Sequence, residues 1–328
     1  MPLLTFEDFC PGDIRTFGVQ TVSRDSIIAF AREFDPQPFH LDNSAAQKSM
    51  LGGLSASGWQ TACLLMRMAC DGWVNHSASW GGSGMDELKW LAPVRAGDVL
   101  SAKMQVMAVR ASKSRPEMGL VSVLSHVLNQ RGETVMSQAN TVMIGRRGMA
   151  LARRALPPRI RKNLPAADPG LPAIWFEDTE IERKIPLGQY VFTRENIIAF
   201  AAKYDPQPFH LDETAGENSH FGGLVASGWH TACASMRMLV DARHAHVAQM
   251  LARGETVADG GPSPGVRDMA WSQPVRPGDV IAYATTCTGK RPVSRPGWGL
   301  VEARNTGTNQ NGDEIFAFTS NVFVPMRG

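Results

Sequence analysis

Cysteine is scarce in this sequence, and so is tyrosine. Only five cysteines and three tyrosines occur among 328 residues. An odd number of cysteines with no Cys-x-x-Cys spacing argues against a disulfide framework and against a zinc knuckle. The expected location is therefore a reducing cytoplasm.

The sequence also lacks an excess of either charge and any long apolar run. It has 33 basic and 31 acidic residues, a net charge of +2, which is too balanced to indicate a nucleic-acid partner or a membrane surface. No stretch approaches the ~20 apolar residues of a membrane span. The first residues include acids where a signal peptide requires a basic start. We expect a soluble protein with neither nucleic acid nor membrane as partner.

What the sequence does contain is an internal repeat. The hexapeptide Asp-Pro-Gln-Pro-Phe-His occupies residues 35–40 and again residues 205–210. Each copy lies in a longer matching frame, Ile27 to Met68 and Ile197 to Met238, at a constant offset of 170 residues. The chain is therefore a tandem duplication, and we predict two similar domains at residues 1–144 and 173–328.

Residues 145–172 carry several arginines and prolines without a sustained apolar period, which is typical of an exposed linker. The second half gains 11 residues before Trp271, because Trp90 and Trp271 match at an offset of 181. The extra residues lie near His246 to Pro264, and their glycines and prolines predict a surface loop.

Each half has the same predicted order of elements. A short strand precedes a helix capped by Ser23 or Thr193, and this helix ends before Pro36 or its counterpart. A second, largely apolar helix begins near Ser57-Gly58 or Ser227-Gly228 and ends near Asp71 or Asp241. Strands with hairpin turns follow, at 99–109, 119–129 and 133–144 in the first half. The pattern indicates an α+β fold with an antiparallel sheet wrapped around a helix.

The repeated acid and imidazole fall on a proline-stiffened loop, which suggests chemistry and also allows a structural explanation. In that explanation the aspartate caps a helix and the histidine packs on aromatic rings. A metal site is not expected, because no third ligand stands at a suitable spacing. The glycine pairs 52–53 and 222–223 do not form a dinucleotide fingerprint, because no strand leads directly into Gly-x-Gly-x-x-Gly.

The repeated loop resembles the motif of the MaoC-like dehydratases, relatives of the (R)-specific enoyl-CoA hydratases. The matching positions are Asp35, Pro38 and His40, with Asp205, Pro208 and His210 in the second half. Gln37 and Gln207 stand where that motif usually has asparagine. The resemblance covers both halves and implies a double hot-dog fold, in which two antiparallel sheets are each wrapped around a long central helix.

The resemblance also implies an activity: the interconversion of 2-enoyl and 3-hydroxyacyl thioesters by syn addition of water. By analogy, Asp35 and Asp205 activate water and His40 and His210 transfer the proton, so that two sites per chain are expected. Coenzyme A is expected only as part of the substrate, with no separate cofactor and no metal. Hot-dog domains usually pair, and the two halves of this chain can form that pair within a monomer. The alternative is a homodimer of two such chains.

Two further sets of residues complete the predicted site. A backbone N–H at a helix start should hold the thioester oxygen, and the candidates are Gly53 or Gly58, and Gly223 or Gly228. Arg115 and Arg295 lie in matching Ser-Arg-Pro segments and are candidates for binding the phosphates of coenzyme A. A solvated hairpin edge explains these arginines equally well. The alternative functions are a hot-dog thioesterase and a non-catalytic acyl-binding module.

Overall fold

The computed structural model describes residues 3–82, 84–149 and 169–327. The N-terminal lobe begins with a 3-10 turn, Phe6–Asp8. Its helices are α1 (Arg24–Phe34), α2 (Pro38–Leu41), α3 (Asn43–Lys48) and α4 (Gly58–Gly72), the last followed by a 3-10 turn, Val74–His76. Its strands are β1 (Ile14–Thr21), β2 (Gly84–Trp90), β3 (Val99–Ala111), β4 (Met118–Leu128) and β5 (Thr134–Gly145).

The C-terminal lobe repeats this order. Its helices are α5 (Arg194–Tyr204), α6 (Pro208–Leu211), α7 (Glu213–Glu217) and α8 (Gly228–Ala252). Its strands are β6 (Lys184–Phe192), β7 (Gly265–Trp271), β8 (Asp279–Pro292), β9 (Trp298–Thr308) and β10 (Glu314–Pro325).

The predicted helix caps are present in both lobes. Ser23 accepts a hydrogen bond from the N–H of Ser26, and Thr193 does the same for Asn196. Such caps satisfy N–H groups that have no partner within the helix. Helix α1 ends at Phe34, before the proline of the repeated loop, as the sequence predicts.

The two five-stranded halves join into a single sheet. Its order is β1-β3-β4-β5-β2-β7-β10-β9-β8-β6, with every neighbouring pair antiparallel. The junction is β2 with β7, where Met85 pairs with Met269. The fold is therefore the predicted α+β double hot-dog, and the two sheets that the sequence predicts are continuous.

The sheet encloses helices α4 and α8, which contact each other at equivalent positions. The sulfurs of Cys63 and Cys233, 170 residues apart in sequence, lie 3.6 Å from each other and are buried. One main core continues across both lobes, with Met68, Leu88 and Phe316 among its most buried side chains. The lobes therefore share one apolar interior.

One predicted boundary is wrong and another lies largely outside the described residues. Helix α8 continues to Ala252 instead of ending near Asp241, so that part of the predicted loop is helical. Its last turns contain no glycine or proline, and Gly254, with a positive φ of 73°, lies just beyond its end. Residues 150–168 of the predicted linker are outside the described part of the chain.

Candidate active site

The first repeated loop holds a buried carboxylate. Asp35 follows the last residue of α1 and is only 2% exposed. Its Oδ2 accepts a hydrogen bond of 2.6 Å from the hydroxyl of Ser57, and its Oδ1 accepts one of 2.9 Å from the amide of Gln37. Gln37 therefore binds the carboxylate directly, although it differs from the residue usual in the resembled motif.

His40, five residues further on, faces the same carboxylate. Its Nε2 lies 3.4 Å from Oδ2 of Asp35, and its Nδ1 lies 2.8 Å from the carbonyl oxygen of Ser55. A carbonyl can only accept, so Nδ1 carries a proton and donates it. In the neutral ring Nε2 is then the free base, directed towards the carboxylate.

The second loop has the same geometry. The distance from His210 Nε2 to Asp205 Oδ2 is again 3.4 Å, and His210 Nδ1 donates to the carbonyl of Val225 at 2.7 Å. Burial opposes the ionisation of Asp205, but His210 and the hydrogen bonds from Ser227 and Gln207 outweigh it and lower the pKa of Asp205. The carboxylate is therefore the ionised form at neutral pH.

Ser57 links the carboxylate to the long buried helix. It is the N-cap of α4 and accepts a hydrogen bond from the N–H of Trp59 while it donates to Asp35. Ser227 does the same for α8 and Asp205. The apolar stripe that follows Ser57-Gly58 predicted the helix start from sequence, but the bond from Ser57 to an aspartate 22 residues away had no local signal.

Each acid-imidazole pair lies on the wall of its own cavity. The cavity at Asp35 and His40 has a volume of about 430 Å³, and the cavity at Asp205 and His210 about 440 Å³. Volumes of this size are typical of pockets for small organic ligands. The predicted catalytic residues of each half are therefore brought together beside space for a ligand.

Both lobes build each cavity. The Asp35 cavity is lined from the C-terminal lobe by Met236 and Leu239 of α8 and by Phe318 of β10. The Asp205 cavity is lined from the N-terminal lobe by Met66 of α4 and by Gln138 of β5. Gln138 and Phe318 stand at equivalent positions, so the two cavities differ in polarity at that point.

The structure separates the four candidate glycines into two pairs. Gly58 and Gly228 each line their cavity, and each is the first residue of its long helix. Gly53 and Gly223 line neither of the two cavities and lie instead beside the guanidinium groups of Arg95 and Arg276. Of the four glycines, only Gly58 and Gly228 therefore line one of the two cavities.

The two candidate arginines also differ. Arg115 is half-buried on the wall of the Asp205 cavity, where it packs over Trp80 at 4.8 Å and pairs with Glu117 at 3.0 Å. Arg295 is exposed and lines neither of the two cavities. Gly297 replaces Glu117 in the second half, so the equivalent ion pair cannot form. Of the two arginines, only Arg115 therefore lines one of the two cavities.

Further asymmetry is concentrated at the Asp205 cavity. Burial, together with nearby Arg115, lowers the pKa of His220 to about 4, and its ring stacks on Trp80 at 5.7 Å. The thiol of Cys70 donates to Asp205 Oδ1 at 3.4 Å, where the equivalent position beside Asp35 is Val240. Burial raises the pKa of Cys70, so the thiol keeps its proton.

A reciprocal pair of arginines, Arg67 and Arg237, links the two lobes. Arg67 binds Asp71 and donates to the carbonyl of Ala202 in the last turn of α5, at 2.9 Å. Arg237 likewise donates to the carbonyl of Arg32 in α1, at 3.0 Å. Each long helix therefore anchors the helix that carries the other lobe's aspartate.

Two further features concern metal binding and membrane insertion. No group of three or more His, Cys, Asp or Glu side chains within 3–82, 84–149 and 169–327 is arranged to hold a metal ion. No helix in the same ranges is long and apolar enough to cross a membrane.

The architecture and the paired loops define a class: a double hot-dog protein with an Asp-His pair in each lobe. The sequence matches the MaoC-like domain family at residues 12–126 and 177–309. These matches cover most of the chain, and it belongs to that family.

Individual proteins show the same relationship. A crystal structure of a putative MaoC domain protein dehydratase from Chloroflexus aurantiacus is 19% identical, with a TM-score of 0.76 and coverage of 100% of this chain and 99% of that one. A conserved hypothetical protein from Mycobacterium tuberculosis with a double hot-dog fold is 13% identical, with a TM-score of 0.70 and 98% coverage of both chains. The uncharacterized protein YdeM from Bacillus subtilis is 28% identical over 143 residues, 44% of this chain and 100% of its own length.

Proposed function

We propose that this protein is a hydro-lyase that interconverts 2-enoyl and 3-hydroxyacyl thioesters at two sites per chain. The observation that carries the proposal is the 3.4 Å distance between the imidazole Nε2 and a carboxylate oxygen on the wall of a cavity, present in each lobe. Membership of the MaoC-like domain family supports the same reaction class. The acyl carrier that we propose is coenzyme A, as part of the substrate.

The geometry supplies the groups that hydration requires. A water molecule that bridges Asp35 and His40 is oriented by the carboxylate and loses a proton to Nε2 as its oxygen bonds to the β-carbon. The same Nε2–H then protonates the α-carbon, so that one water is added across the double bond. Delivery from one group on one face of the alkene gives syn addition. Asp205 and His210 perform the same steps in the second cavity.

Negative charge that develops on the thioester oxygen needs a donor. We propose the N–H of Gly58 and of Gly228, because the first N–H groups of a helix have no partner within it and the helix dipole favours an anion there. Ser57 and Ser227 occupy the adjacent caps and bind the N–H of Trp59 and Trp229, while Gly58 and Gly228 line the two cavities.

The first test is an assay of short and medium 2-enoyl-CoA thioesters that follows loss of the double bond and release of free thiol separately. We expect hydration without thiol release in the wild type. Asp35→Asn and Asp205→Asn should each abolish one site, and the combined variant should abolish both. Thiol release without hydration would indicate a thioesterase instead. Tight binding of acyl-CoA without turnover, in the wild type and in the variants alike, would indicate a binding module.

Arg67 and Arg237 should act as positioning residues with crossed effects. Arg67→Met keeps the apolar stem but removes the anchor of α5, so we expect kcat at the Asp205 site to fall about 10- to 100-fold. KM should change little, because Arg67 does not line the Asp205 cavity. Steady-state kinetics in the Asp35→Asn background measure this site alone.

The matched control is Arg67→Met in the Asp205→Asn background, where kcat of the Asp35 site should be preserved. Arg237→Met should give the reverse pattern. Equal losses at both sites would mean that these arginines only stabilise the fold.

A further inference from the structure

The Asp35 cavity contains an arginine that its counterpart lacks. Helix α8 runs to Ala252 whereas α4 ends at Gly72, and Arg243 lies in the extended part of α8. Arg243 lines the Asp35 cavity together with residues 260–264 of the loop that follows. At the repeat offset of 170 residues, the equivalent of Arg243 in the Asp205 cavity is Trp73. The replacement of tryptophan by arginine at this position therefore supplies the Asp35 cavity with a positive charge.

The guanidinium group of Arg243 is only partly satisfied by protein atoms. It donates to the carbonyl of Ala258 at 2.8 Å and, more weakly, to that of Ala173 at 3.5 Å. Within the described residues, no carboxylate lies within 4.0 Å of it, and Asp259, the acid that acts on it at longer range, is exposed. An arginine has five N–H donors, so several remain for another acceptor.

The surroundings make an uncompensated charge unfavourable. The same face of α8 presents Met236, Leu239 and Val240 to the cavity, and burial lowers the pKa of Arg243. A buried charge is stable where it is paired with an opposite charge or fully hydrogen-bonded. If Arg243 only tied the loop to the helix, a neutral donor would serve as well and without this cost.

The cavity extends along α8 for about two helical turns. Ser235 and Arg243 both line it and are eight residues apart on α8, which corresponds to about 12 Å along a helix. A guanidinium group presents paired donors that match a carboxylate or a phosphate.

We propose that Arg243 binds an anionic group, carboxylate or phosphate, of the thioester held at Asp35 and His40. This inference rests on the proposed function of that site. If the anion is a carboxylate of the acyl group, the two sites differ in acyl preference, because Trp73 stands at the same position of the Asp205 cavity. A carboxylate would come from the far end of the acyl group, and a phosphate from coenzyme A.

The test uses the Asp205→Asn protein, in which only the Asp35 site is intact, with and without Arg243→Gln. Four enoyl thioesters with the same acyl chain length are compared. The acyl group ends in a carboxylate or in a methyl group, and the carrier is coenzyme A or N-acetylcysteamine, which has no phosphate. Loss of a charged hydrogen bond should lower kcat/KM about 10- to 100-fold, mainly through KM. Arg243→Lys should restore part of the loss.

The pattern of losses identifies the source of the anion. A loss confined to carboxylate-ended substrates, on both carriers, assigns a dicarboxylic acyl group. A loss confined to coenzyme A thioesters, whatever their acyl end, assigns a phosphate. Equal kcat/KM values with Arg243 and with Gln for all four substrates would overturn the inference.

Two controls separate other failures. Arg243→Gln in the Asp35→Asn background should retain the activity of that protein, and an equal loss there would show general loosening of the fold and overturn the inference. If the wild type hydrates none of the thioesters, the proposed function fails. The inference about Arg243 is then tested separately, by calorimetry with glutaryl-CoA and valeryl-CoA. Weaker binding of either ligand to the Arg243→Gln protein than to the wild type supports the inference, and unchanged affinities reject it.

Discussion

Replacement of both His40 and His210 by asparagine should reduce hydration by about 10²- to 10⁴-fold, the usual contribution of a general acid-base group. Asparagine is the informative choice because its amide N–H can take the place of Nδ1–H, which donates to the carbonyl of Ser55 or Val225. What asparagine lacks is Nε2, the atom 3.4 Å from the carboxylate. The double variant should therefore keep its fold and lose its base.

The single variants should each keep one working site. His40→Asn leaves the Asp205 cavity intact, and His210→Asn leaves the Asp35 cavity intact, because each pair lines its own cavity. The measurement is kcat/KM for an enoyl-CoA that both sites accept, with thermal unfolding recorded in parallel. His76→Ala serves as a control, because His76 is exposed and lines neither of the two cavities. Full activity in the double variant would end the proposal of histidine as the base.

The repeat explains why so much of the site followed from sequence. Two identical hexapeptides at one offset identified the two loops. The prolines predicted that a helix ends just before each aspartate, as it does. The apolar stripes that follow Ser57-Gly58 and Ser227-Gly228 predicted the starts of α4 and α8. These are local signals, and they determine local structure.

What the sequence did not reveal depends on contacts between the lobes. Arg67 reaches the end of α5, 135 residues away, and Cys70 reaches Asp205 across the same separation. Neither periodicity nor capping encodes such contacts, because they arise only when α4 and α8 pack together. The junction of β2 with β7 is of the same kind.

The length of α8 was missed for a different reason. The insertion ends in glycines and prolines at 260–264, and because of them the whole insertion was predicted to be a loop. The stretch His246 to Ala252 contains strong helix formers and no breaker, so a helical signal was present there. The extension matters for the site because the loop that follows it, residues 260–264, lines the Asp35 cavity together with Arg243.

Gly58→Ala should nearly abolish turnover at the Asp35 site. An added Cβ at Gly58 would lie 2.4 Å from Cε2 of Trp90, far inside contact distance, and the Trp90 indole already donates to the carbonyl of Gly58 at 2.8 Å. Trp90 is also packed against Trp59, with ring centroids 5.5 Å apart. The first turn of α4 must therefore shift, at a cost in folding free energy of about 1–3 kcal/mol.

The same shift moves the proposed oxyanion donor. Loss of one such donor lowers kcat by about 10²- to 10³-fold. The Asp205→Asn background isolates the affected site, and the Asp35→Asn background provides the control, in which Gly58→Ala should retain the activity of the Asp205 site. Gly228→Ala should give the mirror result, because its Cβ would lie 2.6 Å from Cε2 of Trp271. A Gly58→Ala protein that unfolds at lower temperature but keeps kcat at the Asp35 site would separate packing from catalysis, and the donor would then have to be sought elsewhere on the cavity wall.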